Sequence, residues 1–212
     1  MTSRSPDFDK RQDHWDAAYM VRGIEGVSWF QEEPRISLEL FDVLGIKTHA
    51  AVIDIGGGAS PLVDRLLRRG YKDLTVLDVS RAALEAARLK LPGDAPVTWI
   101  HQDLLAWQPD RQYDVWHDRA VFHFLVDPGD QALYRKLLQS ALTPDGAVVL
   151  ATFAPDGPEY CSGLPVGRYS ASSLAAVLGQ TFTIVEERRE IHTTPAGVRQ
   201  PFTWIAARVA SA

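Results

Sequence analysis

The sequence predicts a doubly wound α/β fold: a seven-stranded, mostly parallel sheet whose last strand is inserted antiparallel. Three observations predict it. From residue 50 onward, short apolar runs alternate with helical stretches, a rhythm that calls for a parallel sheet covered on both faces. The first run leads straight into Gly56-Gly57-Gly58 at a strand-to-helix junction. The last two apolar runs are joined by a connection too short for a crossover helix, so they must pair antiparallel.

Each element follows from local signals. Ala50 to Ile55 is a buried strand. Ser60 can cap the helix after the glycines, Pro61 suits its first position, and Gly70 follows its end. Leu62, Val63, Leu66 and Leu67 share one face of that helix. Leu74 to Asp78 is a second strand, followed by a Ser80-capped helix to Leu91 and a stop at Pro92-Gly93. Val97–His101 and Tyr113–His117 are the third and fourth strands. A helix over Asp130–Leu142 carries Leu133, Leu137 and Leu138 at helical spacing, and Pro144-Asp145-Gly146 then turns the chain. Ala147–Phe153 is the fifth strand. A short helix near Ser172–Leu178 precedes two strands, Phe182–His192 and Phe202–Val209, with a turn at Pro195-Ala196-Gly197 between them.

Residues before the sheet carry Trp15 and Tyr19 at i, i+4 spacing, the pair Trp29-Phe30, and a helical stretch over Pro34–Leu44. The expected organisation is one domain over residues 1–212: an N-terminal aromatic cap (1–45) folded on a Rossmann-like core (46–212).

Composition narrows the function. The 46% hydrophobic and 23% charged fractions of these 212 residues describe an ordinary globular protein rather than a disordered or fibrous one. With 22 basic and 27 acidic residues the net charge is −5, which argues against nucleic acid as a partner, since phosphate binding draws on surplus Lys and Arg. One cysteine, Cys161, can form no internal disulfide and no zinc cluster, in keeping with a reducing cytoplasm. The polar first 16 residues lack the apolar core of a signal peptide, and no run approaches the ~18 apolar residues of a membrane span.

The chemistry concentrates at the carboxyl ends of the predicted strands, where doubly wound folds bind ligands. Glycines permit a tight turn and let a ligand approach the backbone closely; the alternative is a turn with no ligand. Asp78, ending the second strand, can accept hydrogen bonds from both hydroxyls of a ribose; alternatively it serves only the dipole of the next helix. A dinucleotide fingerprint requires a small residue three positions after Gly58, where Pro61 stands. Asp54, at the glycine loop, would repel a pyrophosphate and attract an ammonium. Both features disfavour NAD.

These residues resemble the class I S-adenosylmethionine-dependent methyltransferases. The resemblance covers the chain from about residue 50 to the end. It rests on Val52-Ile53-Asp54-Ile55-Gly56-Gly57-Gly58, Val76-Leu77-Asp78-Val79-Ser80 and Gln102-Asp103-Leu104. It implies S-adenosylmethionine as cofactor and S-adenosylhomocysteine as product. By this resemblance Asp54 lies near the cofactor's amino group, Asp78 holds the ribose, and Asp103 faces the adenine amine, with Gly56, Gly57, Gly58, Val79, Ser80, Gln102 and Leu104 around them. Gly57 departs from the family, which often has cysteine there.

Asp118 and Arg119, after the fourth strand, are assigned to the same site; the other reading is that they cap the next turn. Trp15, Tyr19 and Trp29 resemble the aromatic lid of a subset of these enzymes, where aromatic faces attract the sulfonium cation; core packing is the alternative. On the acceptor side, His123 is the candidate base, with a structural histidine as the other reading. The Gly- and Pro-rich segment 155–169 supplies Tyr160, Cys161, Arg168 and Tyr169 as candidate substrate contacts. The expected reaction is methyl transfer to a nucleophilic atom of a small molecule. A seven-strand protein lysine methyltransferase is the closest competitor, and an NAD(P)-dependent oxidoreductase or a non-catalytic cofactor-binding module are further ones.

Overall fold

A computed structural model describes residues 6–210; the terminal residues of the expected cap and core lie outside them. Seven strands form one sheet in the order β3-β2-β1-β4-β5-β9-β8. These are β1 (Ala51–Ile55), β2 (Asp73–Asp78), β3 (Val97–His101), β4 (Tyr113–Arg119), β5 (Leu142–Phe153), β8 (Phe182–Thr193) and β9 (Arg199–Val209). The first five run parallel, while β9 lies antiparallel between β5 and β8. The topology is the one the sequence predicts. Two strands joined by residues 194–198 can only reverse on each other.

Side chains alternate between two cores, as strand geometry requires. Val52, Val76, Val115, Val149 and Trp204 pack under α2 (Arg35–Val43), α3 (Leu62–Arg68) and α4 (Arg81–Leu89). Ile53, Leu77, Trp116, Val148 and Ile205 pack under α5 (Pro128–Ala141) and α6 (Ala171–Leu178). No described helix is long and apolar enough to cross a membrane.

Local differences from the sequence reading are small and have clear causes. Ser60 Oγ accepts the Leu62 N–H at 3.1 Å, so α3 starts one residue after Pro61. The turn expected at Pro144-Asp145-Gly146 is absorbed into β5. There the pairing jumps from Tyr113↔Leu142 to Val115↔Ala147, and the intervening residues bulge out of register. A two-residue hairpin, β6 (Tyr160–Cys161) and β7 (Leu164–Pro165), forms where the sequence suggests only a loop. Positive φ at Ser162 (49°) and Gly163 (79°) turns that hairpin.

The N-terminal helix α1 (Pro6–Arg22) packs on α4. Asp16 Oδ1 accepts the Ala82 N–H at 3.1 Å and the Ser80 hydroxyl at 2.6 Å. A carboxylate at this helix start is favoured by the local dipole, and it ties the cap to the second strand's exit.

Candidate active site

The glycine loop follows β1 because Gly56, with φ +63°, makes a turn that an L side chain rarely adopts. A Cβ added at Gly57 would lie 2.3 Å from Asp54 Oδ2, so only glycine lets the backbone pass this close to the carboxylate. Asp54 is 2% exposed. Its Oδ1 lies 2.7 Å from His117 Nδ1, while its Oδ2 is buried and has no hydrogen-bond partner. A carboxylate only accepts, so His117 Nδ1–H donates to it. His117 Nε2 lies 2.9 Å from Ser37 Oγ on α2. Asp54 and His117 sit side by side in the β1–β4 register. Asp54 borders a small cavity lined also by Gly56, Gly57, Tyr19, Trp29 and Arg119. It can take an ammonium.

A larger cavity of about 270 Å³ opens beside it. Asp78 lines it, with Oδ2 accepting the Gly58 N–H (3.0 Å) and Oδ1 the Ser80 N–H (2.7 Å). Each oxygen keeps a further lone pair, so the carboxylate can still receive two hydroxyls. Burial pushes its pKa up to about 7, against the pull of those two backbone bonds. Val79, Gln102, Asp103 and Leu104 complete this end. Asp103 Oδ1 caps the following turn through the Leu105 N–H (2.9 Å), and Oδ2 pairs with Arg11 of α1 (2.8 Å).

The other end of the cavity is walled by Trp15, Tyr19, Trp29 and Phe124. Trp15 meets Trp29 and Phe124 edge-on at 5.5 and 5.0 Å between ring centres, and Trp29 Nε1 donates to the Tyr19 hydroxyl at 3.1 Å. The lid and core readings merge here: these aromatics pack on one another and also present a wall to the cavity. Cys161 lines it from the β6–β7 hairpin, its thiol pushed up to about 11 by burial. That thiol stays protonated at neutral pH.

Other sequence expectations fail on geometry. His123 does not line the cavity. It is 0% exposed, packed between Phe124 and Phe153, and burial together with the Arg119 charge lowers its pKa to about 3. Such a group is too weak a base, and wrongly placed, to face a methyl group. Asp118 is absent from the cavity because alternation along β4 turns it to the opposite face from His117 and Arg119. It accepts the Tyr134 hydroxyl (2.8 Å) and the Val121 N–H (2.9 Å), pinning the turn in which Ala120 adopts φ +70°. Burial raises its pKa to about 6. Ser80 is a helix cap, accepting the Ala83 N–H at 3.1 Å, rather than a wall of the main cavity.

Arg168 pairs with Glu159 (2.9 Å), and Tyr169 accepts from Gln131 (3.0 Å) while packing on Phe122. Tyr160 points to solvent, 63% exposed. None of these three lines the main cavity. Arg119 lines both cavities.

Sequence reasoning missed His117, Ser37, Arg11 and Asp16. A polar residue inside an otherwise apolar strand was the available signal for His117. The other three act from elements distant in the chain, where no local pattern marks them.

A methyltransferase-domain family matches residues 52–146. The trans-aconitate 2-methyltransferase of Rhizobium leguminosarum bv. trifolii is 31% identical over 143 residues, covering 67% of this chain and 50% of that one. EEF1A lysine methyltransferase 2 of Danio rerio is 27% identical over 171 residues, covering 71% of this chain and 73% of that one. The chain spans about half the length of the first of these relatives. In fold it matches the 1,6-didemethyltoxoflavin-N1-methyltransferase of Burkholderia thailandensis, a structure with bound S-adenosylhomocysteine. That likeness has TM-score 0.73 and 20% identity, covering 100% of this chain and 93% of the other. The chain thus carries a stretch similar to methyltransferase domains over residues 52–146, with its glycine loop and the acids at the ends of β1, β2 and β3, inside a fold shared with a solved methyltransferase.

Proposed function

We propose that the protein transfers a methyl group from S-adenosylmethionine to a nucleophilic atom of a small molecule. The observation that carries this reading is the free, buried Oδ2 of Asp54 beside a glycine with no room for a side chain. An unpaired buried carboxylate oxygen is costly, and a ligand ammonium would answer it. The remaining groups fit the same cofactor: Asp78 for a ribose diol, Asp103 for an adenine amine, and aromatic walls for a cation.

S-adenosylmethionine, when bound, supplies an electrophilic methyl on positively charged sulfur. The protein's own tasks are then alignment and exclusion of water. Asp54, held from behind by His117, and Asp78, held by two backbone N–H groups, offer fixed acceptors. Trp15, Trp29 and Phe124 close the cavity with apolar surface. No histidine is among the described residues lining the main cavity; the acids there are Asp78, Asp103 and Asp130. We read the described part of the cap, residues 6–45, as the lid of this site and the cytoplasm as its compartment.

Similarity to a named lysine methyltransferase over most of its length supports a second reading, methylation of a protein side chain. The two separate on one experiment. The protein is incubated with methyl-labelled S-adenosylmethionine and cell extract, and macromolecules are separated from metabolites. Label in the small-molecule fraction is expected; label in a discrete protein band would favour the second reading. Binding of NADH without binding of S-adenosylhomocysteine would overturn both.

A further inference from the structure

Arg119 carries a positive charge that its surroundings only partly accommodate. Its Nη1 donates to the Trp29 carbonyl at 2.9 Å, and its Cζ lies 4.9 Å from the centre of the Phe202 ring. Its Nε and Nη2 are shut off from water and have no hydrogen-bond partner. Nearby acids are engaged elsewhere. Glu190 accepts from Gln31 (2.9 Å) and Trp204 (2.9 Å), and Asp54 accepts from His117 through Oδ1 while its Oδ2 makes no hydrogen bond to Arg119 or any other group. A buried guanidinium that no carboxylate contacts directly is a costly arrangement, and burial lowers its pKa against the pull of Glu190 and Asp54.

The two unpartnered nitrogens form one edge of the guanidinium. Their parallel N–H bonds match the two oxygens of a single carboxylate. The position of that edge also matters. Arg119 ends β4, whose neighbour on one side is β1, with Asp54 and the glycine loop. The guanidinium instead lies against Phe202 of β9, two strands away on the other side. Arg119 thus lines the cavity bounded by Cys161, Leu164 and Pro165 of the β6–β7 hairpin as well as the small cavity beside Asp54.

We infer that the Nε–Nη2 edge of Arg119 binds a carboxylate of the methyl acceptor, so that the acceptor is a small carboxylic acid anchored through this group. The inference rests on the methyltransferase reading above. An anion at this edge also offsets the repulsion between the guanidinium and a positively charged donor in the same cavity.

The test has two arms. In the first, wild type, Arg119→Gln and Arg119→Lys are titrated calorimetrically with S-adenosylhomocysteine and with 5′-methylthioadenosine, which lacks the amino-acid carboxylate. In the second, the same proteins saturated with S-adenosylhomocysteine are titrated with phenylacetate, indole-3-acetate and succinate, each beside its carboxamide. S-adenosylhomocysteine affinity is expected to stay within about threefold across the variants, because the edge serves the acceptor. At least one acid is expected to bind wild type roughly tenfold tighter than its amide, and Arg119→Gln should abolish that preference. Arg119→Lys, which keeps the charge and loses the fork, should cut it by about fivefold; this variant carries the comparison if Arg119→Gln does not fold. An acid preference that survives both substitutions, or acids no better than amides in wild type, overturns the inference. Loss of S-adenosylhomocysteine affinity in Arg119→Gln with 5′-methylthioadenosine unaffected also overturns it, by giving the edge to the cofactor's carboxylate. Failure of wild type to bind S-adenosylhomocysteine is a different failure, that of the methyltransferase reading itself.

Discussion

The two halves of the sheet's carboxyl edge are built differently. At the β1–β2–β3 half, two carboxylates that line the cavity are held by backbone N–H groups: Asp78 by those of Gly58 and Ser80, Asp103 by that of Leu105. At the β4–β5 half, the cavity wall is assembled from far apart in the chain. Trp29, Arg119, Phe124, Cys161 and Pro165 meet there, and Arg119 keeps two donors unused. The difference teaches where the backbone helps: its N–H groups hold Asp78 and Asp103 in the first half, while Asp54 there and Arg119 in the second each depend on distant side chains and keep buried polar atoms without a partner.

If that contrast is right, the largest effect comes from the first half. Asp78→Ala should weaken S-adenosylhomocysteine binding about a hundredfold or more, since charge-assisted bonds to two hydroxyls are lost at roughly 1.5–3 kcal/mol each. Calorimetric titration checks it, and wild-type affinity in a folded variant would detach Asp78 from the ribose. Gly57→Ala should follow, with affinity down about tenfold or more, because the new methyl would displace the Asp54 carboxylate. The accompanying loss of melting temperature separates this from an unfolded protein.

His117→Phe sharpens the comparison from beneath. It leaves both Asp54 oxygens buried without a donor, at a cost of about 1–3 kcal/mol in stability. Addition of S-adenosylhomocysteine should then raise its melting temperature less than that of wild type. An equal ligand-induced shift would make His117 a packing residue only.

A pH effect is smaller. The folded pKa values of Asp78 (about 7) and Asp118 (about 6) lie above the ordinary carboxylate value near ~4, so the folded state binds these protons more tightly. The stability they confer is full below about pH 4 and is lost as pH rises through about 6 and 7. Apo protein should therefore melt a few degrees lower at pH 8 than at pH 5 by an amount that Asp78→Asn and Asp118→Asn each reduce. A pH slope unchanged in both variants would remove these groups from the titration. The smallest functional effect is expected at His123. His123→Asn should lower the melting temperature while leaving methyl transfer to extract acceptors within about twofold of wild type, because the ring is buried away from the cavity. A large loss of transfer in a stable variant would return His123 to the chemistry.

How much was legible follows the same division. The glycine loop, Asp54, Asp78 and Asp103 all stand within a few residues of a strand end, and strand ends are marked by apolar runs that stop at turn formers. His123 shows where that reasoning breaks: position just beyond a strand says nothing about the direction of a side chain in the turn that follows. Asp118 and Arg119 adjoin in sequence, yet alternation sends one to the Tyr134 side and the other to the cavity.

By itself, then, the sequence determined the succession of the sheet strands along the chain and their direction, the place of the glycine turn and the acids at its rim. These depend on hydrophobic period, turn chemistry and connection length, all of which are local. Only the tertiary structure decided that His117 and Ser37 stand behind Asp54, that Arg11 and Asp16 bind the cap to the core, and that Arg119 rather than Arg168 reaches the cavity. Those contacts join residues from separate elements. The register of neighbouring strands and the burial of two helices set their distances, and no periodicity along one chain segment encodes either.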